Sequence, residues 1–257
     1  MTCEVLHATH PRPLPGGERR NIERRTSNSQ SSYEQRPTTT FMRSKTDIIS
    51  LLTQSGIIAV VRAQRQEQVG PLSEALVAGG VIAVEITLTT PNAIAAIRET
   101  KQQLGDRALI GVGTVLDVET CRAAMDAGAE FVVSPILRQE LVGIAHAADR
   151  PVMLGAYTPT EAQLAHEAGA DFIKIFPADS LGPNYIKALR APLPHLRIIP
   201  TGIARPEDVG EFLKAGCVAV GLGSLLVKQS ILREGNWPEL TRLAREFVSM
   251  VRKAREH

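Results

Sequence analysis

The sequence predicts an α/β protein: a single (β/α)₈ (TIM) barrel, with a short N-terminal helix before the first strand and a C-terminal helix closing the chain. Three observations predict it. Short apolar runs alternate eight times with segments of helical period, which implies a parallel sheet with helices outside it. Four alanine-glycine-type junctions, at Gly79, Gly128, Gly169 and Gly216, each end a helix and lead into a strand. Polar residues collect at the carboxyl ends of the strands, where a closed barrel builds its site. The competing architecture is an open doubly wound sheet. That fold wants a glycine-rich turn after the first strand, and Arg62-Ala63-Gln64 stands there instead.

In order, residues 47–53 form a short amphipathic helix and residues 56–62 (GIIAVVR) the first strand. A helix over 66–78 precedes the strand 81–88 (VIAVEITL). The next helix spans 91–104 with Pro91 in its first turn. Strand 108–113 (ALIGVG), helix 117–127, strand 131–134 and helix 138–148 follow. Strand 151–155 leads to a helix over 160–168, announced by the start signal Thr158-Pro159-Thr160-Glu161. Then come strand 172–176, helix 184–189, strand 196–200, helix 205–215 and strand 217–222. The closing helix spans 239–252, behind Pro238. The junction glycines are 49, 41 and 47 residues apart, a spacing that suits pairs of βα units. Glycine recurs there because it adopts the left-handed backbone after a helix without a Cβ clash.

Residues 1–41 read differently. They hold Pro11, Pro13, Pro15, Gly16 and Gly17, then arginine pairs and a Ser/Asn/Gln/Thr-rich stretch. Too few apolar residues are present to offset ordering entropy, which predicts a disordered extension. The barrel domain is expected over 42–257, with Met42 as a natural start. Glu4, Glu18, Glu23 and Glu34 count against a mitochondrial presequence.

The extension carries six arginines and four acids, leaving 23 basic and 23 acidic residues in the body. A neutral body gives no electrostatic case for nucleic acid or membrane partners. No apolar run reaches the length of a membrane span. Cys3, Cys121 and Cys217 are odd in number and far apart, which suits a reducing compartment. A cytoplasmic protein is expected. The six histidines do not cluster, so no metal site is predicted.

The stretch Asp171-Phe172-Ile173-Lys174-Ile175-Phe176-Pro177-Ala178-Asp179 is the centre of the chain's chemistry. A lysine inside an apolar strand is costly unless paired or neutral. A neutral amine attacks carbonyl carbon to form a Schiff base. The plain alternative is an edge lysine reaching to water. Side chains alternate faces along a strand, so Phe172, Lys174 and Phe176 share one face. Ala83, Glu85 and Thr87 share another. If both faces point inward, Lys174 and Glu85 converge, as an ion pair or as a nucleophile with its acid–base partner. The remaining strand ends present Arg62, Thr89, Thr114, Pro135, Thr158 and Thr201. Gly202 and Gly223-Ser224 end the last two strands, at the usual phosphate position of such barrels. A short helix after the eighth strand would add its positive end there. The same glycines also suit plain turns.

Six stretches together carry a family resemblance: Val84-Glu85-Ile86-Thr87-Leu88, Gly111-Val112-Gly113-Thr114-Val115-Leu116, Ser134-Pro135, Ile173-Lys174-Ile175-Phe176-Pro177-Ala178, Pro200-Thr201-Gly202 and Gly221-Leu222-Gly223-Ser224. From about Ile57 to the last helix, the chain resembles the 2-keto-3-deoxy-6-phosphogluconate (KDPG) and 4-hydroxy-2-oxoglutarate (KHG) aldolases. These are class I enzymes, and the family includes 2-keto-3-deoxy-6-phosphogalactonate aldolases. The resemblance implies a homotrimeric barrel that needs no metal or other cofactor, with pyruvate and a phosphorylated keto sugar acid as its small-molecule partners. It places the Schiff-base lysine at Lys174 and the general acid–base at Glu85. Thr114 and Pro135 would line the pyruvate pocket, Arg62, Thr89, Phe176 and Thr201 would also bind the substrate, and Gly202, Ile203, Gly223 and Ser224 would hold the phosphate. Thr89 stands where phosphogluconate aldolases commonly carry a carboxylate-binding arginine. The phosphogalactonate branch lacks that arginine and has one where Arg62 stands here. Ile203 replaces a usual glycine and is expected to narrow the phosphate site. Two further classes compete: an epimerase or synthase on the same phosphate-binding barrel, and a sugar-phosphate-binding barrel without turnover.

Overall fold

Strands and helices alternate along residues 43–256, the part of the chain that the computed structural model describes. The strands are β1 (Ile57–Val61), β2 (Ala83–Thr87), β3 (Leu109–Gly113), β4 (Phe131–Val133), β5 (Val152–Ala156), β6 (Phe172–Ile175), β7 (Ile198–Pro200) and β8 (Val220–Leu222). The helices are α1 (Lys45–Ser55), α2 (Val69–Ala78), α3 (Ala93–Leu104), α4 (Val118–Asp126), α5 (Glu140–Ala147), α6 (Pro159–Glu167), α7 (Gly182–Arg190), α8 (Pro206–Lys214), α9 (Gln229–Glu234) and α10 (Trp237–Arg255). The expectations for residues 1–41 and for Met42 lie outside the described residues.

All neighbouring strands pair in parallel, in the order β7-β6-β5-β4-β3-β2-β1-β8. The barrel closes between β7 and β8 through a thin seam. One bridge joins Thr201 to Gly221, and Val218 N–H donates to the Ile198 carbonyl at 3.0 Å. The reason lies in Pro200. Thr201 N–H points to β6, where it donates to Ile175 at 2.9 Å. Its neighbour Pro200 therefore turns its nitrogen toward β8 and has no hydrogen to give.

Alternation of faces then sorts the side chains. Ile58, Ala83, Leu109, Phe131, Met153, Phe172 and Ile199 fill the barrel's lower interior. Ile48 and Leu52 of α1 join that interior cluster and close its base. Full burial of each stabilises the fold by roughly 1.5–3 kcal/mol. The opposite strand faces pack on the helices in a second, larger core. A capping box starts α1: Asp47 N–H donates to Ser44 Oγ, and Ser44 N–H donates to the Asp47 carboxylate.

Two local expectations are corrected. The left-handed junction residue in the first repeat is Gly80 (φ 93°), since Gly79 (φ −87°) is still right-handed. Gly80 thus corresponds to Gly128, Gly169 and Gly216, which are all left-handed. Pro91 lies outside α3. Thr90 N–H first closes a turn on the Thr87 carbonyl, and left-handed Asn92 (φ 51°) then redirects the chain. Asn tolerates that conformation better than most residues. The expected short helix after β8 is present, as α9, and Val227 N–H donates to the Gly223 carbonyl at 2.8 Å in the single turn that leads to it.

Candidate active site

Lys174 and Glu85 meet inside the barrel. Lys174 sits mid-strand on β6 and Glu85 mid-strand on β2, both on inward faces. Their exposures are 4% and 2%, and Lys174 Nζ lies 3.6 Å from Glu85 Oε1. That gap exceeds the length of a charge-assisted hydrogen bond. Glu85 Oε1 is fully buried and has no hydrogen-bond partner. The two groups therefore face each other without being consumed by each other.

Glycines on the neighbouring strands make room for Glu85 and for Pro135 and Thr201 around the pair. A Cβ placed on Gly113 would lie 2.0 Å from Glu85 Oε1 and 2.6 Å from its Cδ. On Gly155, beside Lys174 in register, it would lie 2.0 Å from the Pro135 carbonyl oxygen. On Gly221 it would meet Thr201 Oγ1 at 2.3 Å. Gly113 and Gly221 stand inside the family motifs, and glycine inside a strand signals close approach of another group. Gly113→Ala should push the Glu85 carboxylate out of place. We expect turnover to fall by about 10²-fold, the scale of a 1 Å misplacement. A modest melting-temperature loss should accompany it, since overpacking costs about 1–3 kcal/mol. Wild-type turnover in that variant would show that the position of Glu85 is not critical.

The strand ends above the pair shape two cavities. The first, about 360 Å³, is lined by Arg62, Phe176, Thr201, Gly202, Ile203, Gly223 and Ser224, with Asp179 and Gln229. Seven predicted site residues thus share one hollow, and the last two are additions. The second cavity, about 420 Å³, is lined by Pro135, Ile136, Tyr157 and Phe176 among others. Phe176, 40% exposed, belongs to both, and its ring centroid lies 5.5 Å from Lys174 Nζ. Lys174, Glu85, Thr89 and Thr114 line neither cavity.

The first cavity is rich in donors. Among the described residues, the N–H groups of Gly202, Ile203 and Ser224 donate to no protein acceptor. Gly202 is left-handed (φ 83°), and its carbonyl is turned to accept Asp179 N–H at 3.1 Å. Ile203 borders the cavity, yet its side chain is 4% exposed and belongs to the outer core. The expected narrowing by Ile203 is therefore limited, because the core takes up much of its bulk.

Thr114 follows β3 with φ 61°, a strained conformation for a β-branched residue. Arg62 Nε donates to Thr89 Oγ1 at 2.9 Å, so these two predicted residues are direct partners. Thr158 caps α6: Glu161 N–H donates to its hydroxyl, and Thr158 N–H donates to the Glu161 carboxylate. It is used in the fold and lines neither cavity. Burial pushes the Cys121 thiol up to about 11 and the Cys217 thiol up to about 12, so neither is a nucleophile near neutral pH. No group of three or more His, Cys, Asp and Glu side chains suited to a metal ion occurs among the described residues.

A family model described as KDPG and KHG aldolase matches residues 48–243. The chain belongs to that family. It is accordingly an aldolase, a carbon–carbon lyase. It is 34% identical over 211 residues to the 2-dehydro-3-deoxy-phosphogluconate aldolase of Pseudomonas aeruginosa, covering 82% of this chain and 96% of the relative. The 2-dehydro-3-deoxy-6-phosphogalactonate aldolase of Escherichia coli K12 is 36% identical over 204 residues, covering 79% and 97%. A solved KDPG aldolase from Legionella pneumophila, with pyruvate captured at low pH as a covalent carbinolamine intermediate, superposes with a TM-score of 0.72. It is 30% identical and covers 77% of this chain and 97% of its own. No helix among the described residues is long and apolar enough to cross a membrane.

Proposed function

We propose that this aldolase works through a Schiff base on Lys174 and cleaves a 2-keto-3-deoxy-6-phospho sugar acid, KDPG foremost, to pyruvate and glyceraldehyde 3-phosphate. The observation that carries the reading is the buried amine facing a buried carboxylate with no hydrogen bond between them. A structural ion pair at this depth would need short, well-made bonds to offset desolvation. Lys174 Nζ attacks C2 of the keto acid to give a carbinolamine, which loses water to form an iminium. The C4 hydroxyl then gives up its proton, the C3–C4 bond breaks, and its electron pair passes into the iminium as an enamine. Glyceraldehyde 3-phosphate leaves. Protonation at C3 and hydrolysis of the imine release pyruvate and restore the amine. Glu85 carries the protons, directly or through a water. The protonated imine is the electron sink.

Thr114, Pro135, Phe176 and Thr201 would surround the pyruvate part. The free N–H groups of Gly202, Ile203 and Ser224, with Gly223, would hold the phosphate. Arg62 would grip the substrate carboxylate in place of the arginine that Thr89 replaces. That substitution favours a second substrate, the phosphogalactonate analogue, and the relative from Escherichia coli supports it. KHG is the third. The protein would act in the cytoplasm as a homotrimer, with exposed Leu116, Ile136 and Tyr157 available to bury between copies. Light scattering on the purified protein tests the trimer.

Borohydride reduction in the presence of pyruvate tests the mechanism. A stable adduct on Lys174 is expected, whereas a protein that merely binds sugar phosphates leaves the lysine unmodified. A lyase assay across the three substrates settles preference. Ser224→Asp should raise KM for phosphorylated substrates by about tenfold or more, because two charges 4 Å apart repel by roughly 1–4 kcal/mol. Pyruvate exchange should change little. Equal effects on both would place the phosphate elsewhere.

A further inference from the structure

The end of β1 is laced to the end of β2 at three successive residues. The Val61 carbonyl accepts from Thr87 Oγ1 at 3.0 Å. Arg62 Nε donates to Thr89 Oγ1 at 2.9 Å. Ala63 N–H donates to Thr90 Oγ1 at 3.2 Å. The Thr87 and Thr89 hydroxyl oxygens are themselves 2.9 Å apart.

Hydrogen counting sets the direction of this chain. A carbonyl only accepts, so the single hydrogen of Thr87 goes to Val61. Thr89 must then donate to Thr87, which leaves a lone pair on Thr89 for Arg62. The bonds run one way, from guanidinium to Thr89, to Thr87, to the strand backbone. We propose that Thr87 and Thr89 are positioning residues whose hydroxyls aim the Arg62 guanidinium at the anionic group of the substrate. The identity of that anion rests on the function proposed above.

Three observations support the role. Thr87 is buried, so the lower end of the chain is shielded from competing water. Arg62 lines the same cavity as Gly202 and Ser224, so its charge faces the donor-rich hollow. With Nε taken, the edge carrying the two Nη nitrogens is free to hold an anion through parallel hydrogen bonds. Among the described residues those nitrogens meet no acceptor. A flexible arginine loses rotamer freedom on binding, and an anchor set beforehand lowers that loss. Thr89 thus changes role. Its hydrogen is already committed, so it orients Arg62 instead of donating to the substrate.

The test uses the full chain and a double-mutant cycle of Thr89→Val and Arg62→Ala. Two readouts are needed: KM and kcat in the lyase assay, and calorimetric affinity for 3-phosphoglycerate. That probe carries both a carboxylate and a phosphate. Thr89→Val should weaken the probe and raise KM by about 2- to 100-fold, within the range of coupling between contacting residues, with kcat within about twofold. Thr87→Val should act in the same direction. Thr89→Ser keeps the hydroxyl and should restore both values. In the Arg62→Ala background, Thr89→Val should add nothing. Equal losses with and without Arg62, or failure of Thr89→Ser to restore, would overturn the proposal. So would a parent protein that binds the probe no better than Arg62→Ala. If the parent fails to cleave any of the three substrates, the function reading falls, while the calorimetric cycle still decides the positioning.

Discussion

Lys174→Met should abolish cleavage and leave no borohydride-trappable site for pyruvate, while the barrel still folds. Methionine matches the lysine stem in volume and fills the same apolar track between Phe172 and Phe176. It supplies no amine, and the imine on which the covalent route depends forms only on an amine. The replacement also removes the only cation within ion-pair distance of Glu85 among the described residues. Breaking a buried pair costs about 3–5 kcal/mol when the other charge stays in place. A drop in melting temperature is therefore expected with a folded circular-dichroism spectrum. The competing account, a purely structural ion pair, predicts the same stability loss with turnover retained. Residual activity above a trace would decide for that account.

Glu85→Gln should separate binding from chemistry. The amide keeps the size of the carboxylate, so the space opened by Gly113 is still filled. Lys174 keeps its reach to pyruvate, and the adduct should still form on prolonged incubation. Turnover should fall by about 10²- to 10⁴-fold, the usual contribution of a general acid–base. Rapid-quench measurements should show slower dehydration and slower C3–C4 cleavage, with KM much less affected. Unchanged kcat would remove Glu85 from the mechanism and pass its protons to another group. A loss of adduct formation together with a loss of fold would instead mark Glu85 as structural.

The pairing of Lys174 with Glu85 was legible in the sequence because it follows from two short rules. Alternation put each residue on a defined face, and a charge in an apolar strand demanded a partner. The helix start at Thr158 was legible for a similar reason, since a capping box is a local hydrogen-bond pattern spanning four residues. Pro91 shows the limit. It reads as a first-turn proline, but the chain spends Thr90 and Asn92 on a turn before α3 begins. Contacts with Thr87 across that turn, and not helix propensity, set the boundary. Ile203 shows another. A larger residue at a glycine position suggested a narrowed cavity, and only its burial in the outer core shows that much of the bulk goes elsewhere.

By itself, the sequence determined the number and order of the βα units, the inward faces of the strands, the lysine and the glutamate, and the family motifs at the strand ends. Each of these depends on periodicity or on residues close together in the chain. Tertiary structure alone decided the thin seam between β7 and β8, the clearance that Gly113 and Gly155 provide, and the joining of Arg62 to Thr89. Those features depend on inter-strand register, which sets which side chain stands beside which across the barrel. Register is the joint outcome of every strand pair and of the closure at Pro200, so no single stretch of sequence carries it.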